Sequence, residues 1–192
     1  SMNNTKLQDF VENETKVQKY VVIGGGYDSN TFKGVATTNS EGMVKYYNSD
    51  SMIIVHGGVK KTVRGAIGFR IYDQLYKAAV ELGRAVGLPP QVPVTLKPIA
   101  IDGEVHPLNE KDQEFCLKNG ILYSYYDTEL AGFVSGQGIN SLQNNTFLVN
   151  EDGTSFSMAV KRITSQLNYE ILYTAKRRFF GSNNGPNRAT IT

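Results

Sequence analysis

Two short apolar runs, Tyr20–Ile23 and Met52–Val55, are each stopped by consecutive glycines. Gly24-Gly25-Gly26 follows the first, and Gly57-Gly58 follows the second after His56. Neither run alternates between apolar and polar residues. Continuous β-branched strands of this kind are covered on both faces, as in the sheets of α/β proteins. The pattern predicts strands over Val17–Ile23 and Ser51–His56, with helices packed around them.

The helices are legible from their period and punctuation. Ile71, Leu75, Ala78/Ala79, Leu82 and Ala85/Val86 recur every three or four residues, which predicts an amphipathic helix. Gly87 and Pro89-Pro90 stop it. Asn109 is a good N-cap for a helix over 110–119, closed by Gly120. Thr154 or Ser155 caps a long helix whose stripe is Val160, Ile163, Leu167, Ile171 and Ala175, ending at Phe180-Gly181. Val92–Pro98 is an edge strand or a surface-hugging connection, because its prolines cannot donate to a ladder. Ile121–Tyr126 and Ala131–Ser135 are strands joined by a turn near Asp127–Glu129, and Thr146–Asn150 is a further strand. Residues 3–14 form a short amphipathic helix. Residues 27–50 are a long polar loop with a hairpin around Val35 and Val44–Tyr47, and residues 182–187 are another loop. The fold class is α/β: a mixed or mostly parallel sheet with flanking helices, plus a smaller α+β portion.

Composition bounds the chemistry. The chain has 192 residues and a formal net charge of +2, from 20 Lys and Arg against 18 Asp and Glu. That balance argues against a general nucleic-acid binder, which carries a strongly basic domain. One cysteine, Cys116, excludes an internal disulfide and a Cys-based zinc knuckle. Two histidines, His56 and His106, leave little for a His-rich metal site. The apolar runs fall far short of the roughly 20 residues of a spanning helix, and the N-terminus does not read as a signal peptide. Ser1-Met2 reads as a tag remnant ahead of a start methionine, so we expect a piece of a longer protein.

No motif spells an active site. Gly24–Gly26 lacks the third glycine of a dinucleotide loop, since Ser29 stands there. Gly57-Gly58-Val59-Lys60-Lys61-Thr62 lacks the Walker spacing. His56 would need a nucleophile and an orienting carboxylate. Cys116, between Phe115 and Leu117, reads as a buried thiol. His106 lies beside Asp102 and Glu104 with no further histidine to complete a metal site. Asp127 and Glu129 read as solvated turn carboxylates. Lys176-Arg177-Arg178 complements the negative end of the long helix, each cation contributing about 0.3–1 kcal/mol. With Lys161 and Arg162, these cations also suit an acidic partner surface. We assign no catalytic, cofactor-binding or metal residue.

Three segments, in order, resemble contractile tail sheath proteins of myovirus-type phages. Gly87-Leu88-Pro89-Pro90 through Pro93-Val94-Thr95-Leu96-Lys97-Pro98 is similar to that family's Gly-Leu-Pro and Pro-(Leu/Val)-Thr-x-Lys-Pro stretch. Asn119-Gly120-Ile121-Leu122, then Gly138-Ile139-Asn140-Ser141-Leu142, resembles its Gly-(Val/Ile)-Asn-Thr-Leu element. Lys161-Arg162-Ile163 through Arg177-Arg178-Phe179-Phe180-Gly181, then Asn187-Arg188, resembles its long helix and following segment. The likeness covers about residues 50–192.

The resemblance implies a virion structural protein rather than an enzyme. Its subunits would stack as hexameric rings around a tail tube and contract to drive the tube through the host envelope. It also implies a subtilisin-like layer arrangement without the triad, and neighbours linked by strand addition through terminal arms. The implied partners are other sheath subunits, the tube protein, and baseplate and terminator proteins, with no direct nucleic acid, membrane or cofactor. The implied location is the virion tail, after assembly in the host cytoplasm. On this reading 1–16 is an N-terminal helix or linker. Residues 17–100 are an α/β core portion, and 101–192 an α+β portion with the long helix. The terminal domains lie outside the chain, which alone would be monomeric. Lys176, Arg177 and Arg178 are the expected assembly contact. The sheath of a type VI secretion system or tailocin reads similarly, and a small α/β hydrolase or nucleotide-binding enzyme is the alternative from another class.

Overall fold

A computed structural model describes residues 21–24, 49–65, 67–142 and 155–180. The expected helix at 3–14, the Val17–Tyr20 part of the first expected strand, the expected loop and hairpin over 27–48, the expected strand at Thr146–Asn150 and the expected loop at 182–187 lie outside these residues. The two apolar runs are strands, as expected. β1 (Val21–Gly24) and β2 (Met52–Val55) pair in parallel, in the register Val21↔Met52 to Gly24↔Val55. All four residues of β2 are buried. That is why the run does not alternate: Ile53 and Val55 pack with Ala78, Ala85, Val94 and Leu122, while Met52 and Ile54 are fully buried too.

The next strands form a second sheet. β3 (Val59–Thr62) pairs antiparallel with β4 (Phe69–Tyr72) on one side and with β5 (Gly103–Glu104) on the other. Gly57-Gly58 therefore leads into a strand and not into a phosphate-binding helix. β4 also corrects the helix reading, because Ile71 belongs to a strand. α1 (Gln74–Gly87) starts after Asp73, whose Oδ1 accepts the Leu75 and Tyr76 amides at 3.1 and 3.2 Å. It lies against β1 and β2, with Ala78 and Ala85 packed on Ile53 and Val55, buries Lys77 and Glu81 as well, and leaves Leu75, Leu82 and Val86 exposed.

α2 (Glu110–Lys118) is capped by Asn109, whose Oδ1 accepts the Asp112 amide at 2.9 Å. Gly120 follows with φ +69°, a left-handed conformation that favours glycine. The run expected as one strand from Ile121 to Tyr126 divides between two sheets. β6 (Ile121–Leu122) adds in parallel to β2, giving the order β1-β2-β6. β7 (Ser124–Asp127) forms an antiparallel hairpin with β8 (Gly132–Ser135). The Asp127 carboxylate caps that turn, accepting the Glu129 and Leu130 amides at 2.8 and 2.9 Å. Val92–Pro98 is a connection whose one ladder contact is an isolated bridge from Pro98 to Val134.

α3 (Met158–Ala175) starts after Ser157, whose side chain makes no capping hydrogen bond, two residues beyond the expected Ser155, and it runs into a π-helical turn at Lys176–Phe180; Thr154 lies outside the described residues. Ser155 instead accepts the Ser157 amide through its Oγ at 3.2 Å. The result is mixed α/β, with three α-helices and both parallel and antiparallel sheets among the described residues.

Gly120 gives a direct test of this packing. A Cβ there would stand 2.6 Å from the Asn140 carbonyl oxygen. Gly120→Ala is expected to cost about 1–2 kcal/mol for the left-handed backbone alone, and more for the displaced 140–141 backbone. Thermal unfolding reads it, and an unchanged midpoint would refute it.

Candidate functional site

The three segments that carry the resemblance meet at the base of α3. The Met158 amide donates to the Gly138 carbonyl at 3.0 Å, and Ile139 bridges Ser157. Fully buried Asn140 donates through Nδ2 to the Ser155 carbonyl at 2.6 Å and accepts the Leu142 amide at 3.1 Å. The Ser141 amide donates to the Met52 carbonyl at 2.8 Å. Asn140 and Ser141 therefore join the end of α3 to the central parallel sheet, a role that needs a donor and an acceptor on one short side chain.

Two arginines hold the proline-rich connection. Arg84 Nη1 donates to the Lys97 and Pro98 carbonyls at 2.7 and 2.8 Å, and Nη2 to the Val94 carbonyl and Ser135 Oγ at 2.7 and 2.8 Å. Arg162 donates to the Leu88 carbonyl, and to that of Val92 at 3.2 Å. A planar fork with five donors suits such a set of carbonyls, where lysine would not. Lys161 pairs with Asp50 at 2.8 Å. Lys161 and Arg162 therefore serve the fold, which removes them from the basic cluster expected to meet a partner. Lys176, Arg177 and Arg178 are exposed at the far end of the helix.

Beyond its first turn α3 stands bare. Its stripe, expected to face a core, is half-exposed at Ile163, Leu167 and Ile171, and only Met158 is buried. Tyr169 and Tyr173, stacked at 6.0 Å, stand with Leu172 on another side of the helix and are equally exposed.

The candidates for catalysis are built into the interior. His56 is buried, and its Nε2 lies 3.3 Å from the His106 carbonyl, so the proton sits on Nε2. Burial, with Lys77 nearby, lowers its pKa to about 4, leaving the ring neutral at pH 7. Burial pushes the Cys116 thiol well above its ordinary value, the opposite of an activated nucleophile. Glu104 is not beside His106 as a ligand; it turns inward to Lys77 at 2.6 Å and accepts from Ser124 Oγ. Asp102 is exposed, and the Thr62 amide at 2.5 Å holds its carboxyl below the usual range. Among the described residues no three His, Cys, Asp or Glu gather as a metal site, and no helix is long and apolar enough to cross a membrane. Gly24 ends β1, while Gly25 and Gly26 lie outside the described residues.

Sequence reasoning missed the arginine clamps and the Lys77–Glu104 pair. One signal was present: Lys77, Ala78, Glu81 and Ala85 lie on one helix face, so two charges share the alanine face.

No protein-family model matches the sequence, and no curated protein matches it significantly. Solved structures do. A sheath tail protein of Desulfitobacterium hafniense is similar at a TM-score of 0.59 and 14% identity, over 99% of this chain and 46% of that chain. A chain of the anti-feeding prophage baseplate is similar at 0.62 and 9%, over 99% and 48%. A chain of the contracted PVC sheath complex, from an extracellular contractile injection system, is similar at 0.57 and 13%, over 90% and 45%. The chain spans about half the length of the solved chains it matches, and its fold is that of sheath proteins of contractile injection systems.

Proposed function

We propose that this chain is part of a structural subunit of a contractile sheath and not an enzyme. The observation that carries the reading is the sheath-protein fold over 99% of the chain. In detail, the subunits stack as hexameric rings around a tail tube and shorten to drive the tube through the host envelope. The partners are further sheath subunits, the tube, the baseplate and the terminator, in a phage tail assembled in the host cytoplasm. The sheath of a related injection machine has the same physics. Contraction demands rigid bodies that re-pair in two arrangements, a bistable system. The arginine clamps and the buried polar joint at the base of α3 supply that rigidity.

Lys176, Arg177 and Arg178 are the proposed assembly contact, three exposed cations that form no ion pair among the described residues. Negative-stain electron microscopy of the protein, expressed from its full native reading frame with its tube protein, tests both claims. Hollow tubes or stacked rings are expected. Reversing the three charges to Glu is expected to abolish them while circular dichroism shows the fold intact, with the melting midpoint lowered by the lost helix-end charges alone. Small particles alone from the unaltered protein would overturn the sheath reading. Normal tubes from the charge-reversed variant would overturn the contact.

A further inference from the structure

Besides the Leu75, Leu82 and Val86 stripe of α1, two apolar surfaces are bare among the described residues. One is the outer half of α3, where Leu167 and Ile171 are 53% and 65% exposed. The other is the outer face of the sheet β4-β3-β5. Its register puts Lys60, Thr62, Phe69 and Ile71 on one side, opposite Val59 and Tyr72. Val59 and Tyr72 pack on Ile99 and Ile101, whereas Phe69 and Ile71 are 60% and 65% exposed. A cleft of about 540 Å³ opens there, lined by Phe69, Lys60, Asp102, Tyr125, Tyr126 and Phe133 among others.

We propose that the outer half of α3 of one copy seats on the Phe69–Ile71 face of the next. The inference rests on the self-assembly reading above and names its surface. Each bare surface is what the other lacks: a protruding helix without a groove, and an aromatic-walled cleft without an occupant. The side of α3 that carries Ile163, Leu167 and Ile171 offers on the order of 300 Å² of apolar surface, a small contact against the ~800 Å² per partner of a standard interface. The charges match. Glu170 is the one acid in this half of the helix, and the seat carries Lys60. Asp102, which lines the cleft and lies 4.0 Å from Lys61, faces the Lys176–Arg178 end of the seated helix. The contact joins different surfaces on the two copies, so it propagates into rings or filaments instead of closing as a dimer. It departs from the monomer expected of the isolated chain.

Cys116 is fully buried and its thiol is held protonated, so introduced cysteines report alone. Ile71→Cys and Ile171→Cys are purified separately, mixed, and treated with a short bis-maleimide, with sedimentation velocity on the same samples. A covalent dimer in the mixture, several-fold above either variant alone, is expected. Ile171→Glu should weaken association at least tenfold with an unchanged melt. Equal dimer from Ile171→Cys alone, or adducts mapping within one copy, would overturn the seat. Oligomers without the 71–171 adduct would overturn the seat and leave self-assembly standing. Monomers at every concentration would overturn both the seat and self-association of this chain.

Discussion

Lys77→Met is expected to remove about 3–5 kcal/mol of stability, the loss typical of a buried ion pair that loses one partner. The Lys77 side chain is fully buried and that of Glu104 is 3% exposed, with Nζ and Oε1 2.6 Å apart. Ser124 Oγ donates to the same carboxylate oxygen. One carboxylate thus ties the edge strand β5 to helix α1 and to hairpin strand β7. With the ammonium gone, Glu104 keeps only a hydroxyl, and a buried charge without a counter-charge is far more costly than a neutral pair. The double variant Lys77→Met/Glu104→Leu removes both charges and is expected to recover most of the loss, because apolar replacement of a whole buried pair is often neutral. Urea unfolding of the native chain, Lys77→Met, Glu104→Leu and the double variant gives the coupling energy directly. A single-variant loss below about 1 kcal/mol, against the usual range for such pairs, would refute the argument. So would a double variant no better than the single.

The sequence announces this core only in part, and the reason is physical. Met52–Val55 is legible because a strand buried on both faces must be apolar throughout. Asn109 and Gly120 are legible because caps depend on local geometry. A helical stripe carries no such direction. Leu75, Leu82 and Val86 have the period of a core face, yet α1 turns Ala78 and Ala85 inward with Lys77 and Glu81 and leaves the leucines out. Ile163, Leu167 and Ile171 repeat the lesson in α3. A stripe made for a partner is spelled like a stripe made for the interior, since both exclude charge for the same reason. Arg84 and Arg162 were illegible for another reason: the carbonyls they hold lie 10–14 and 70–74 residues away. The division of Ile121–Tyr126 between two sheets likewise follows from what β2 and β8 offer as neighbours, and not from the residues of the run.

Stability is expected to fall by about 3 kcal/mol as the pH drops from 6.5 to 4, through His56 alone. Its ring ends β2 in the interior, and burial, followed by the nearby Lys77 ammonium, holds its pKa at about 4 against an ordinary 6.5. Above pH 6.5 the imidazole is neutral in folded and unfolded chains, so it favours neither. Between 6.5 and 4 the unfolded chain takes up a proton that the folded chain refuses. Stability then falls by as much as about 1.4 kcal/mol per pH step, and levels off below 4 once both states are protonated. The sign follows from burial beside a cation; an exposed histidine paired with a carboxylate would give the reverse. His56→Gln keeps a polar side chain but cannot titrate. Its stability at pH 7 is expected to be lower from altered packing, so the slope is the quantity to read. Denaturant midpoints at half-unit steps from pH 7.5 to 4 should diverge, steeply falling for the native chain and shallower by about that slope for the variant. Parallel curves would show that the ring takes up its proton as readily folded as unfolded, and the buried neutral imidazole would have to be abandoned.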